Sequence, residues 1–356
     1  MHSGLRSIAL CLLASAPQVS PAQTVQKAQK PIVHDKSANR QIKRLELPGK
    51  KSEAVRRLLR MGKAATKDLT RALSDPRLEI VHTVAHILRM LGADAKAAVP
   101  ALKKLAAGKD KERARVARWA LAGVHPKGVI LVSSSKGALV ELDGNGKETF
   151  SLKQGNSLFD AERLANGNYL ITIYTQRAVR EITRKGRIVW EYKALKTPMD
   201  ADRLPSGNTL ISDITRGLIE VDPKGKIVWE FKTQSSYQAE RLPNGNTLIP
   251  EYGGNRVIEV DPKGKIVWEF KGTNCMDADR LPNGNTLITL YSGKIQEVTS
   301  KGKVVFSIKA PTAYSAHRMQ NGDILVVGNT GVQRFDKSGK ELWFNKLGMA
   351  GSVEVY

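Results

Sequence analysis

Cysteine is almost missing from this chain of 356 residues, which has only Cys11 and Cys275. Cys11 lies in a mostly apolar run, Ile8 to Ala16, that follows His2 and Arg6 and precedes the small residues Ser20-Pro21-Ala22. A positive start, a short apolar stretch and a small-residue cleavage site make residues 1–22 an expected secretory signal. Its removal would leave Cys275 alone, which excludes an internal disulfide. A lipoprotein anchor needs a cysteine just after the apolar run and none follows Ala14, so a mature protein free of a lipid anchor is expected. The apolar run is too short to span a bilayer and no other stretch approaches that length. The expected location is the periplasm or the extracellular space.

Catalytic signatures are missing too: there is no GxSxG elbow, no phosphate-binding glycine loop and no CxxC. Acidic residues are few, 34 against 57 Lys and Arg, and the imbalance is local. Residues 23–127 carry 25 basic and 9 acidic side chains, about +16, whereas residues 128–356 carry 31 and 25, about +6. Export argues against nucleic acid as the partner of this basic third. It leaves an anionic wall polymer, a polysaccharide or a membrane surface.

The chain does contain a repeat. DAERLANGN from Asp160 returns as DADRLPSGN from Asp200, QAERLPNGN from Gln238, DADRLPNGN from Asp277 and SAHRMQNGD from Ser315. The arginines Arg163, Arg203, Arg241, Arg280 and Arg318 are 38 to 40 residues apart. A second anchor keeps the same interval, a glycine turn followed by Phe150, Trp190, Trp229, Trp268, Phe306 or Trp343. Each unit holds four short alternating apolar runs, separated by PNGN- and DPKGK-type turns whose glycines supply positive φ. Six such units specify a mainly β fold, a six-bladed β-propeller over residues 126–356. The first unit lacks its leading run, and the terminal Ser352–Tyr356, SVEVY, resembles it. Pairing of the two would close the ring and leave no exposed sheet edge.

EVDPKGKIVWEF, present at Glu220–Phe231 and again at Glu259–Phe270, resembles the tryptophan-docking motif of quinoprotein-like (PQQ-like) propellers. In that motif an Asp, a Gly-containing turn and a Trp lock one blade to the next. The LPNGN turns look like those of arylsulfotransferase-type propellers, and NRVIEVDPKG, Asn255–Gly264, looks like an NHL-type blade. These resemblances imply architecture; activity carries over poorly. Phe159, Met199, Tyr237, Met276 and Tyr314 precede the repeated motif where the sulfotransferases place histidines. The eight blades and adjacent cysteines of the quinone enzymes have no counterpart, so no cofactor is expected, and no metal.

Residues 51–125 change period. Apolar residues recur at three- and four-residue steps, and runs end at glycines such as Gly62 and Gly92, giving five short helices that resemble HEAT-like repeats. A stack this short buries little by itself and is expected to lean on the propeller. Residues 23–50, poor in large apolar side chains, are expected to form a flexible linker.

On a strand, the neighbours Glu162/Arg163, Asp202/Arg203, Glu240/Arg241 and Asp279/Arg280 face opposite sides, which favours ion pairing between blades. The other reading is a ligand-binding polar ring at the channel mouth, with Asp160, Asp200 and Asp277 pointing into the channel where several carboxylates would attract a cation. Departures from the repeat are candidates for chemistry: His317 replaces the acid, and Ser315 and Gln238 replace the Asp. A group-transfer enzyme would use His317 with Arg318, Arg280 and Arg241. Cys275 is expected to be a packed residue. His82 and His86 lie one helical turn apart, but Thr83 stands where a metalloprotease needs Glu. The residues favour an exported, monomeric binding or scaffold protein, with a protein or small ligand on the propeller and no catalytic group.

Overall fold

The computed structural model describes residues 37–47, 49–124, 130–134 and 136–355. The expected signal, Cys11 and the first part of the expected linker lie outside them. Six helices come first: α1 (Ala38–Arg44), α2 (Lys51–Met61), α3 (Thr66–Ala72), α4 (Leu78–Leu91), α5 (Val99–Ala106) and α6 (Lys111–Val124). α1 corrects the linker expectation. Ser37 caps it by accepting the Arg40 N–H on Oγ at 3.2 Å, and Ala38, Gln41 and Leu45 are buried. With Ile42 packed on the same core, these few side chains form a helical stripe that composition alone conceals. α4 buries Ile80, Val81, Val84, Ala85, Ile87, Leu88 and Leu91, enough to face α2, α3 and α6 together.

The strands form six four-stranded antiparallel sheets. Blade 1 joins Ile130–Ser134, Ala138–Leu142 and Glu148–Lys153 to the C-terminal strand Ala350–Val355, with Leu131 opposite Glu354 and Val132 opposite Val353. Blades 2 to 6 follow in chain order, with inner strands Leu158–Arg163, Pro198–Arg203, Glu240–Arg241, Cys275–Arg280 and Ala313–Arg318. Joining both ends of the domain in one blade closes the ring. Gly351 of the closing strand passes so near blade 2 that a Cβ there would lie 2.1 Å from the Phe159 carbonyl oxygen. The second strands, such as Thr209–Asp213 and Thr286–Leu290, are buried along their whole length because neighbouring blades cover both faces.

A three-part contact locks the blades. Trp190, Trp229 and Trp268 donate their indole N–H to the carbonyls of Pro223, Pro262 and Ser300 in the following blade at 3.1, 3.1 and 2.9 Å. Arg203, Arg241 and Arg280 of the following blade lie 4.8, 4.7 and 5.0 Å from those ring centroids. The same guanidinium groups pair with Glu181, Glu220 and Glu259 on the third strand of the preceding blade at 3.0, 2.7 and 2.8 Å. Arg318 repeats the pattern with Phe306 and with Glu297 at 2.8 Å. Between blades 1 and 2, Arg163 is 3.6 Å from Glu141, and Arg184 covers Phe150 and grips Glu141 with two nitrogens. Each cation–π contact contributes roughly 1–2 kcal/mol when desolvated. The arginine's partner is thus a third-strand glutamate, not the acid beside it in the motif.

The contact between blades 6 and 1 departs from the rule. Val355 stands at the arginine position and Arg334 at the glutamate position, so both partners are replaced together. Arg334 pairs with Asp323 of its own blade at 2.6 Å and donates to the Gly144 carbonyl of blade 1. Trp343 lies flat against Gly146, where a Cβ would meet it at 2.9 Å, and its indole N–H has no partner.

Candidate functional site

Alternation along the inner strands sends the first and third residues of each motif to the channel. The first tier is Asp160, Asp200, Gln238, Asp277, Ser315 and, from the closing strand, Ser352. Ala201, Ala239 and Ala316 donate their N–H to Asp160, Asp200 and Asp277 of the preceding blade at 3.2, 3.1 and 2.9 Å. Ser352 Oγ takes the Ala161 N–H at 3.2 Å in the same way. The second motif position, Ala in blades 2 to 6, is buried where inner strands converge.

The second tier is Glu162, Asp202, Glu240, Asp279, His317 and Glu354. Glu162 and Glu240 accept the N–H of Arg203 and Arg280 at 2.7 and 2.8 Å. The shorter Asp279 lies 3.6 Å from His317 Nδ1. Gln238 Oε1 and Glu354 Oε2 are shielded from solvent and have no hydrogen-bond partner. Burial raises the pKa of Asp160 to about 6 and of Glu162 to about 7. Burial and then neighbouring carboxylates raise Glu240 and Asp277 to about 8, and hold Asp200, Asp202 and Glu354 well above the usual carboxylate range.

At the end where the inner strands begin, a cavity of about 360 Å³ opens above the first tier. Phe159, Met199, Tyr237, Met276 and Tyr314 form its wall. In blades 2, 3, 5 and 6 the strand register shifts at this residue, a β-bulge that turns it to the same side as the following Asp or Ser. Tyr252 and Tyr291 extend the wall, with ring centroids 5.3 Å between Tyr237 and Tyr252, 6.0 Å on to Tyr291 and 6.3 Å on to Tyr314. Tyr291 is 46% exposed, so this end meets solvent. Among the described residues lining the cavity are six carboxylates, Asp160, Asp200, Asp202, Asp277, Asp279 and Glu354, and no Lys or Arg.

The helices cover the other end. Trp119 donates to the Arg203 carbonyl at 3.0 Å, Arg115 to the Pro205 carbonyl at 3.3 Å, and Ala93 to Gln320 Oε1 at 3.0 Å. Asn244 donates to Ser52 Oγ at 3.1 Å. Arg89 stacks on Trp119 at 4.6 Å and lies 3.9 Å from Glu162. His86 meets Trp119 edge-on, and burial pushes its pKa down to about 3. A second cavity of about 830 Å³ separates helices and blades and shares Asp202, Gln238, Asp279, His317 and Glu354 with the first.

The structure therefore places Asp160, Asp200 and Asp277 together at the open mouth. Arg163, Arg203, Arg241, Arg280 and Arg318 lie in the blade contacts toward the covered end, and His317 lies between the two cavities. Cys275 is buried, donates to the Gly272 carbonyl, and burial pushes its thiol up to about 12. No group of three or more His, Cys, Asp or Glu among the described residues is arranged to hold a metal ion. Sequence reasoning missed the tyrosine and methionine wall. Its signal was the recurring large residue before each motif, read only as a place without histidine.

Residues 175–305, from blade 2 into blade 5, match the PQQ_2 family, described as outer membrane protein assembly factor BamB. No curated protein matches the sequence. Among solved structures, a protein of unknown function from Bacteroides caccae is similar with a TM-score of 0.55 and 19% identity, over 63% of this chain and 97% of its own. A catalytically inactive virginiamycin B lyase variant from Staphylococcus aureus with quinupristin is similar with a TM-score of 0.45 and 16% identity, over 64% of this chain and 84% of its own. The first likeness shows the propeller fold alone. Over blades 2 to 5 this chain is similar to PQQ_2 propellers.

Proposed function

We propose that this protein is an exported, monomeric, non-catalytic binding or scaffold protein whose open mouth receives a small ligand or a projecting part of a protein partner. The observation that carries this reading is the asymmetry of the channel, apolar-walled and open at one end and covered by helices at the other. A group-transfer enzyme of the arylsulfotransferase type would need arginines free to hold an anion beside His317. Arg241, Arg280 and Arg318 instead each have a glutamate partner and an aromatic face, which supports binding over transfer. We read α2 to α6 as HEAT-like, and the exposed Lys103, Lys104, Lys109, Lys111 and Arg118 as a face toward an anionic polysaccharide, wall polymer or membrane surface.

The test is thermal unfolding of the full chain against a panel of cationic, neutral and anionic small molecules, repeated with Ser315→Trp, whose indole fills the mouth. Compounds that raise the melting temperature of the native protein and not of the variant are expected. Binding that survives the filled mouth overturns the reading, and so does turnover of a sulfate or phosphate ester that His317→Ala abolishes.

A further inference from the structure

We propose that the ligand of the open mouth is a linear aliphatic polyamine, an inference that rests on the mouth being the ligand entrance. The protein as a whole carries a net charge of +23, yet the described lining of this cavity holds six carboxylates and no Lys or Arg. A cation entering at the first tier meets no Lys or Arg there and replaces protons that burial and neighbouring carboxylates keep on Asp200 and Asp277, while Arg89 of the second cavity lies beyond, toward Asp202 and Glu354. The wall is equally specific. The faces of Tyr237, Tyr252 and Tyr291 carry negative π density that attracts ammonium groups, and Met199 and Met276 offer apolar surface to methylenes.

The carboxylates stand in two tiers, Asp160, Asp200 and Asp277 above Asp202, Asp279 and Glu354, each pair of tiers separated by two residues of strand. Two residues of extended chain rise roughly 6.6 Å. Three or four methylenes separate two ammonium groups by a comparable span, so one ligand can reach both tiers while its chain lies against the wall. Gln238 and Glu354 line the cavity at the two depths, and their shielded Oε1 and Oε2 atoms have no hydrogen-bond partner of their own. A divalent metal fits less well, because it needs several oxygens converging on one point and the described residues provide no such group. The cavity, about 360 Å³, lies at the small end of the range for small-molecule sites.

Isothermal titration of the full chain with spermidine, putrescine, butylamine and Mg²⁺ tests this. Spermidine is expected to bind at least tenfold more tightly than butylamine, and Mg²⁺ is not expected to displace it at equal concentration. Asp200→Asn with Asp277→Asn should weaken spermidine at least tenfold, while Glu269→Gln on an outer strand leaves it unchanged. If the double variant fails to fold, Ser315→Lys, which places a tethered ammonium in the mouth, should abolish spermidine binding in a protein that still melts cooperatively. Absence of polyamine binding, equal affinity for butylamine, or unchanged affinity in the folded mouth variants overturns the proposal. If neutral or anionic compounds still bind and Ser315→Trp still excludes them, the polyamine falls and the ligand entrance stands.

Discussion

The two ends of the channel are made by the same six motifs and finish in opposite chemistry. At the covered end the fourth motif residue is an arginine in blades 2 to 6, paired with a glutamate across a blade contact, and the LPNGN-type turns behind it carry the helices through Trp119, Arg115 and Ser52. At the open end the residue before the motif is bulged out of its strand in blades 2, 3, 5 and 6, the side chains are tyrosine, phenylalanine and methionine, and carboxylates face one another with no Lys or Arg between them. Blade contacts are thus specified by inner-strand positions that alternate regularly, facing third-strand glutamates that each have a register shift beside them. The cavity wall is specified where alternation is broken.

The largest expected effect removes both ends at once. Deleting residues 352–356 strips Ser352 from the first tier and Glu354 from the second and leaves blade 1 without its inner strand, so aggregation or loss of cooperative unfolding is expected in calorimetry. A truncated protein that melts like the full chain would contradict closure of the ring. Next, Trp119→Ala should loosen only the covered end, costing about 3 kcal/mol in chemical denaturation. Hydrogen exchange should rise in α6 while the inner strands stay protected; uniform exchange across the molecule would show that the helices are not a separate cover.

A smaller contrast concerns regular and irregular blade contacts. Trp229 has an indole partner and a stacked arginine, whereas Trp343 has no N–H partner. Trp229→Ala should therefore cost about 1 kcal/mol more than Trp343→Ala in equilibrium unfolding. Equal losses would mean that the three-part contact adds nothing to ring packing.

The last contrast is the pH effect of the facing carboxylates. Asp160, Glu162, Glu240 and Asp277 hold their protons to about pH 6 to 8 in the folded state, above the ordinary carboxylate range of the unfolded chain. Their contribution to stability is full below that ordinary range and is lost as the pH rises through about 6 to 8. Asp200, Asp202, Asp279, Glu354 and His317 face them from neighbouring strands, and Arg89 faces Glu162 from α4. Melting temperatures of Glu240→Gln with Asp277→Asn should accordingly fall less between about pH 5 and about pH 8 than those of the native protein. Parallel curves would contradict the burial of these acids.

Blade number and closure were legible in the sequence because they depend on local signals, the turn glycines, the aromatic anchors and the orphan strand SVEVY. The partner of each arginine was not, since Glu181, Glu220 and Glu259 lie on the third strand of the preceding blade and only the ring brings them near. The cavity wall escaped for a different reason: strict alternation points Met199 and Met276 away from Asp200 and Asp277, and the bulge reverses that. Coverage of one mouth rests on contacts such as the Trp119 indole with a backbone carbonyl, which leave no trace in residue pattern.

The most direct measurement of the central claim is a crystal structure of the full chain grown with saturating spermidine. The account predicts an extended chain of density in the open mouth, with amino nitrogens within hydrogen-bond distance of Asp200 or Asp277 and methylenes against Tyr237 and Tyr252. A mouth that holds only water, with spermidine on the outer strands or in the cavity beneath the helices, would contradict it.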